Sequence, residues 1–178
     1  MRVGVSGGAA LPVEVLRQFE RKFEVTILEG YGLSETSPVA TFNQFEFECV
    51  PGSVGQAIAG VEVRIVDTHD QPVPAGEIGE VVIRGHNIMK GYYKRPEATA
   101  EAIRNGWFHS GDLGRMDERG YVYIVDRLKD MIIRGGFNVY PRELEEVMMA
   151  HEAIAQVAGR ERDLRVFAPG IVFLGVLM

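Results

Sequence analysis

The sequence predicts a mixed α/β (α+β) fold: a layered α/β beginning, a β-rich middle forming a barrel or curled sheet, and a small α+β ending. Three observations carry this expectation. Residues 2–28 read as a β-loop-helix-β unit, the local mark of a mostly parallel sheet layered with helices. From about Gly52 the texture changes to short apolar runs separated by turn residues, as in an antiparallel β module. A short charged stretch at residues 126–130 then precedes a second strand–turn–helix pattern.

In order, residues 2–5 form the first strand, followed at once by Ser6-Gly7-Gly8-Ala9-Ala10. Pro12 opens a helix in its favoured first-turn position, and Leu16, Phe19 and Phe23 recur at helical spacing. Residues 25–28 make the second strand. Ligands gather at the carboxyl ends of strands in such sheets, so residues 6–10 and 28–38 are expected to line one pocket. Val61, Val63 and Ile65 alternate with Glu62, Arg64 and Val66, with a turn at residues 67–71. Residues 80–84 form the next strand, ended by Gly85. A helix spans residues 96–103 and is stopped by Asn105-Gly106. Residues 121–125 make another strand after the Gly120 turn. Residues 131–133 form a strand, Gly135-Gly136 a turn, and Pro141 starts a helix. On it Leu144, Val147, Met148 and His151 share one stripe, with Glu143, Glu145 and Glu146 early, where the helix dipole favours acids. After Ala158 the pattern weakens.

The 178 residues suit one good core, or a core with a small second domain. A formal charge of −6 argues against a general nucleic-acid or anionic-membrane surface, while leaving peripheral membrane contact open. The single cysteine, Cys49, forms no internal disulfide, which fits a reducing compartment. No apolar run reaches transmembrane length and no signal-peptide layout is visible, so the expected location is cytoplasmic. His69, His86, His109 and His151 lack metal-ligand spacing. Ser6 and Ser110 have no His-and-acid pattern of a hydrolase nucleophile. Trp107 is expected beneath its own loop, His109 in a structural role, and Glu77 and Glu80 in a solvated hairpin.

Five patches carry chemistry. Residues 28–38, LEGYGLSETSP, follow a buried strand. Gly30 and Gly32 suit a sharp bend or a close ligand approach, and Tyr31 offers a flat face to a ring. The hydroxyls of Ser34 and Thr36 flank Glu35, a set able to hold a phosphate and its Mg²⁺; an ordinary strand-to-loop turn is the alternative. Ser6-Gly7-Gly8-Ala9 presents bare backbone to a planar base, or simply turns the chain. Asp112, after a glycine turn in GWFHSGDL, can accept hydrogen bonds from both hydroxyls of a ribose, or cap its turn. Arg127 can meet ribose or phosphate oxygens, or sit in a charged linker. Arg134-Gly135-Gly136-Phe137-Asn138 gives an extended thiol cofactor close passage, or is a hairpin turn.

Taken in order, these patches resemble the adenylate-forming superfamily, the acyl-CoA synthetases and their relatives. YGLSET is similar to that family's YGxTE motif, GEVVIRGHNIMKGYY to its GELxIxG…GY segment, and WFHSGDLG to its (W)xxTGDL. DRLKDMIIRGGFNVYPRELE is similar to its hinge and the start of its small C-terminal domain. The wording of residues 87–102 and 138–146 is most like fatty acyl-CoA ligases, with aryl-CoA ligases close behind.

The resemblance implies a division into residues 1–50 (end of an α/β nucleotide subdomain), 51–126 (a β subdomain, barrel-like), 127–130 (hinge) and 131–178 (a truncated small domain). It implies ATP, AMP, Mg²⁺ and coenzyme A as ligands and a carboxylic acid as substrate. Tyr31 would stack on adenine with Gly8 and Ala9 on the other side, next to Gly32. Ser34 would bond the α-phosphate, Glu35 would hold Mg²⁺, Asp112 the ribose hydroxyls, and Arg127 ribose or phosphate. Lys129 matches the hinge position, Gly135 and Gly136 the pantetheine path, and Gly30 the border of the acyl pocket. The implied reaction is two-step: acyl-AMP forms with release of pyrophosphate, then coenzyme A displaces AMP. The family's TSGTTGxPKG-like phosphate loop and its C-terminal lysine are not found in these residues. The chain is therefore expected to be a middle-to-C-terminal piece of a ligase, inactive in isolation. A non-catalytic nucleotide-binding remnant or scaffold module, or another adenylate-forming enzyme, stays open beside it.

Overall fold

The computed structural model describes residues 3–9, 11–134, 137–149, 151, 154, 156–160, 163–168 and 171–175. Strand β1 (Val3–Ser6) runs into the glycine loop, and helix α1 (Val13–Phe23) follows. Pro12 is the residue capping α1 rather than its first helical residue, and its carbonyl accepts from the Leu16 N–H at 3.0 Å. The predicted apolar stripe is only partly inward: Leu16 is buried, while Phe19 and Phe23 are exposed and stack on each other with centroids 4.5 Å apart. Strand β2 (Thr26–Tyr31) lies parallel to β1, pairing Val3 with Thr26 and Ser6 with Glu29.

After β2 the chain makes a 3₁₀ turn (Ser34–Thr36) and returns as β3 (Thr41–Phe42), which is antiparallel to β2; β4 (Gln56–Ala57) is antiparallel to β3. The first sheet, β1-β2-β3-β4, thus has one parallel pair and is not the mostly parallel sheet expected from its opening unit. The connection from Tyr31 to Thr41 is shorter than the dozen or so residues that a parallel crossover needs.

The second sheet is antiparallel and holds most of the core. It comprises β5 (Val61–Val66), β6 (Gly79–Gly85), then, after helix α2 (Pro96–Ala102), β7 (Ile103–Arg104), β8 (Trp107–Met116) and β9 (Val122–Arg127). β6 lies between β5 and β8, and the far edge of β8 is shared by β7 and β9. Val81, Val82 and Ile83 are all buried, so both faces of β6 are covered. That explains why its sequence alternates poorly.

Asn105 and Gly106 have positive φ (51° and 78°) between the paired residues Arg104 and Trp107. They form a two-residue hairpin turn, the geometry that Asn-Gly favours, rather than the stop of α2. Trp107 meets the guanidinium groups of Arg64 and Arg84, 4.4 and 4.5 Å from its ring centroid, and is not beneath its loop. Asp67 Oδ1 closes the 67–71 turn by accepting from the N–H groups of His69 and Gln71.

Beyond β9 come the hairpin β10 (Ile132–Arg134) and β11 (Phe137–Val139), helix α3 (Pro141–Met149) and a meander of β12 (Gln156–Arg160), β13 (Asp163–Ala168) and β14 (Ile171–Gly175). The weak pattern after Ala158 therefore still makes strands. On α3 the expected stripe fails at Val147, which is 76% exposed. No helix among the described residues is long and apolar enough to cross a membrane.

Candidate functional site

The carboxyl ends of β1 and β2 face β8, β9 and the turn at residues 128–130 across a cleft of about 1190 Å³. Gly8, Ala9, Gly30, Tyr31, Gly32, Asp112, Arg127 and Lys129 line it. The two loops predicted to share a pocket do so, and the acid and the arginine from the second sheet join them. Gly135 and Gly136 lie outside the described residues.

Asp112 owes its position to an interruption of the β6–β8 ladder. Glu80 pairs with Leu113 and Val82 with His109, so Ser110, Gly111 and Asp112 on β8 stand opposite Val81 alone. Such bulges re-aim side chains. Gly111 takes φ 72°, a left-handed conformation natural to glycine. The backbone N–H groups released from the ladder find side-chain partners. The Gly111 N–H donates to Glu80 Oε1 at 3.0 Å, and the Asp112 N–H to Ser110 Oγ at 3.1 Å. Ser110 Oγ in turn donates to the Val81 carbonyl at 2.7 Å. Glu80 is therefore not part of a solvated hairpin; its side chain is 17% exposed and holds the turn.

The Asp112 carboxylate is buried. Tyr31 Oη donates to its Oδ2 at 2.6 Å, and Arg127, its register partner on β9, places Nε 3.8 Å from Oδ1. Burial pushes the Asp112 pKa above the ordinary carboxylate range, against the Tyr31 hydrogen bond and the Arg127 charge, which favour the ionised form. Burial first, and then the Asp112 charge, push the Tyr31 phenol upward, so it stays a donor.

Ser34 and Glu35 are not among the cleft-lining residues; they occupy the 3₁₀ turn just past Leu33, which is. Ser34 is exposed and Glu35 half-buried. Tyr92 Oη donates to Glu35 Oε1 at 2.8 Å, and the Met89 N–H to the Glu35 carbonyl. Thr36 cannot supply the second flanking hydroxyl. It is fully buried, donating to the Leu33 carbonyl at 3.0 Å and accepting from the Leu33 N–H at 2.9 Å. Gly30 has a packing reason to lack a side chain, because a Cβ would stand 2.4 Å from the Phe42 ring. At Gly32 a Cβ would meet the Pro38 carbonyl at 1.9 Å.

Sequence reasoning passed over Glu29, Asp126 and Arg142, which also line the cleft. Glu29 is 7% exposed and burial raises its pKa, opposed by a Gly52 hydrogen bond and the Arg142 charge. An acid inside the apolar run TILEGY was the available sign of it. Arg142 donates its backbone N–H to Asp126 Oδ2 at 3.3 Å and its guanidinium to the Ile124 carbonyl. No three His, Cys, Asp or Glu side chains converge on one point among the described residues.

A sequence-family model described as AMP-binding enzyme matches residues 1–93. A long-chain-fatty-acid–CoA ligase of Escherichia coli O6:H1 is 44% identical over 157 residues, covering 86% of this chain and 28% of that protein. A feruloyl-CoA synthase of Amycolatopsis is 41% identical over 159 residues, covering 89% of this chain and 32% of that protein. ATP-bound MatB from Rhodopseudomonas palustris superposes with a TM-score of 0.84 at 39% identity, over 97% of this chain and 33% of that one. The chain thus spans less than a third of the length of these curated relatives.

Proposed function

The chain belongs to the AMP-binding enzyme family, and on that premise we propose that it forms the adenosine-binding part of an AMP-forming acid–thiol ligase that activates a fatty acid with ATP and passes it to coenzyme A. The observation that carries this reading is the Tyr31–Asp112 pair in the cleft. One hydrogen bond ties an aromatic face, suited to stack on adenine, to a carboxylate suited to the ribose hydroxyls, so base and sugar sites hold a fixed mutual geometry. Gly8 and Ala9 flank the base without side-chain bulk, and Arg127 offers a permanent cation to ribose or phosphate oxygens.

Ser34 takes the α-phosphate in this reading, and Glu35 the Mg²⁺. The fit of Glu35 to a cation is supported by its half-exposed carboxylate, of which, among the described residues, only Oε1 is engaged, by the Tyr92 hydroxyl. Mg²⁺ retains water and phosphate oxygens and asks for few protein carboxylates, and when bound it neutralises charge developing on the phosphates. Catalysis by this part of the site is positioning and charge neutralisation. Residues 127–130 act as the hinge between the β subdomain (51–126) and the small domain (131–178), with residues 1–50 closing the nucleotide subdomain; Lys129 stands in the turn at 128–130, on the cleft wall. Gly135 and Gly136 border the path of coenzyme A, and Gly30 the acyl pocket. The feruloyl-CoA synthase similarity supports an aryl acid as the second reading of the substrate.

Isothermal titration of the chain with AMP and with ATP·Mg²⁺ tests the proposal, with Asp112→Ala as the control. Binding that disappears in the variant is the expected result. Equal binding by both proteins, or none by a chain shown to be folded, overturns it.

A further inference from the structure

Glu80 is an acid to which the nucleotide reading gives no role. It sits on the central strand β6, 17% exposed, with both oxygens engaged: Oε1 by the Gly111 N–H at 3.0 Å and Oε2 by His109 Nδ1 at 2.9 Å. His109 is itself buried and is backed by Arg104, whose Nη2 lies 2.8 Å from Nδ1 and 3.1 Å from Asp70 Oδ1. Nδ1 can serve only one of its two neighbours at a time, so Arg104 and Asp70 steady the imidazole from outside while Glu80 meets the bulge from inside.

We propose that Glu80 is the positioning residue for Asp112: it anchors the Gly111 amide, and with it the turn that aims the Asp112 carboxylate at the two vicinal hydroxyls of a ribose. This deepens the nucleotide reading and rests on it. Three residues on β8 face one on β6, so no ladder hydrogen bond is available to hold Gly111. The turn is also held by the Gly111 carbonyl, which accepts from the Leu128 N–H at 2.8 Å, and by the Ser110 hydroxyl under the Asp112 amide, while Tyr31 and Arg127 hold the carboxylate itself. Without the Glu80 carboxylate the part-buried Gly111 amide loses its acceptor, and a glycine at φ 72° has the freedom to swing away. The effect falls first on the ribose hydroxyls: Gly8 and Ala9 belong to the β1 loop, and Tyr31 meets the turn only through its hydroxyl on Asp112, not through the ring face offered to the base.

The test titrates the chain with AMP and with 2′,3′-dideoxyadenosine 5′-monophosphate, in the wild type, Glu80→Ala and Glu80→Gln. Two hydrogen bonds to a carboxylate give the wild type a preference for AMP of about 10- to 100-fold. Glu80→Ala is expected to lose about 10-fold in AMP affinity while binding the dideoxy nucleotide unchanged. Glu80→Gln, which keeps an acceptor for the Gly111 amide, restores most of the preference. Hydrogen exchange at the Gly111 amide reads the anchor without ligand: about 10-fold faster in Glu80→Ala and near wild-type in Glu80→Gln.

A Glu80→Ala chain that keeps the wild-type preference, or weakens both nucleotides equally, overturns the positioning role. So does unchanged Gly111 exchange. A wild type that does not tell the two nucleotides apart overturns the ribose reading of Asp112 itself, and the inference with it.

Discussion

Two carboxylates, Asp112 on the cleft floor and Glu35 on the rim, are held in opposite ways. Asp112 is buried, bonded by Tyr31, faced by Arg127 and carried on a bulge whose amides are tied to Glu80 and Ser110. Glu35 rides a three-residue 3₁₀ turn, half-exposed, with one side-chain partner among the described residues, Tyr92. The contrast fits two tasks. An acid that recognises a pair of neutral hydroxyls gains from being fixed before the ligand arrives. An acid that shares a hydrated cation must keep oxygen lone pairs open. The largest expected effect therefore falls on the floor: Asp112→Ala should weaken AMP about 100-fold, since a charge-assisted pair of hydrogen bonds is lost and Tyr31 is left without its acceptor. Titration calorimetry measures it, and a loss below threefold would dissolve the contrast.

Next comes the rim. Glu35→Gln is expected to lower ATP affinity about 10-fold in the presence of Mg²⁺ and to leave AMP binding unchanged, because only the nucleotide that brings a cation needs this carboxylate. Titrating ATP with and without Mg²⁺ separates the two effects. Equal weakening of AMP would place Glu35 on the floor's side of the comparison.

Tyr31→Phe sharpens it through pH. The Tyr31 hydroxyl favours ionised Asp112, so its removal pushes an already raised pKa further up. AMP affinity, which needs the ionised acid, should fall as pH drops through that pKa, and the midpoint should move upward in the variant, with a several-fold loss near the midpoint. Stability without ligand runs the other way. A folded pKa raised by burial means stability that is full below the ordinary carboxylate value of about 3.9 and lost as pH climbs through the folded one. Asp112→Asn should flatten part of that slope in urea titrations from pH 4 upward, and Glu29, raised by burial in the same sense, should account for another part.

The floor was also the more legible half. Glycines at the ends of β1 and β2 mark Gly8 and Tyr31, and a glycine within β8 precedes Asp112; these local patterns all fall on the cleft lining. Glu80 was not legible, because its role depends on a register shift between two strands and no spacing in the sequence encodes the bulge. Asn105-Gly106 was misread for a different reason: the two-residue strand before it follows a helix directly, so the same dipeptide served as well for a helix stop. Thr36 looked like a phosphate ligand because a hydroxyl in sequence does not reveal whether its bonds are already made, and here both go to Leu33. Phe19, Phe23 and Val147 had helical spacing, but periodicity names a shared face and not what that face meets.

The smallest prediction bears on the rim's single tether. Tyr92 is 37% exposed, and its hydroxyl is the one side-chain donor to Glu35 among the described residues. If Glu35 works because it is available, Tyr92→Phe frees Oε1 at little cost. Stability should then change by less than about 1 kcal/mol, since water replaces the lost donor at an exposed site. Mg²⁺-dependent ATP affinity should stay within about threefold of wild type, or rise, because the cation no longer competes with the phenol for that oxygen. A Tyr92→Phe chain that loses its Mg²⁺ dependence as fully as Glu35→Gln would mean that the rim acid, like the floor acid, must be aimed by a neighbour. The difference between the two would then be one of exposure alone.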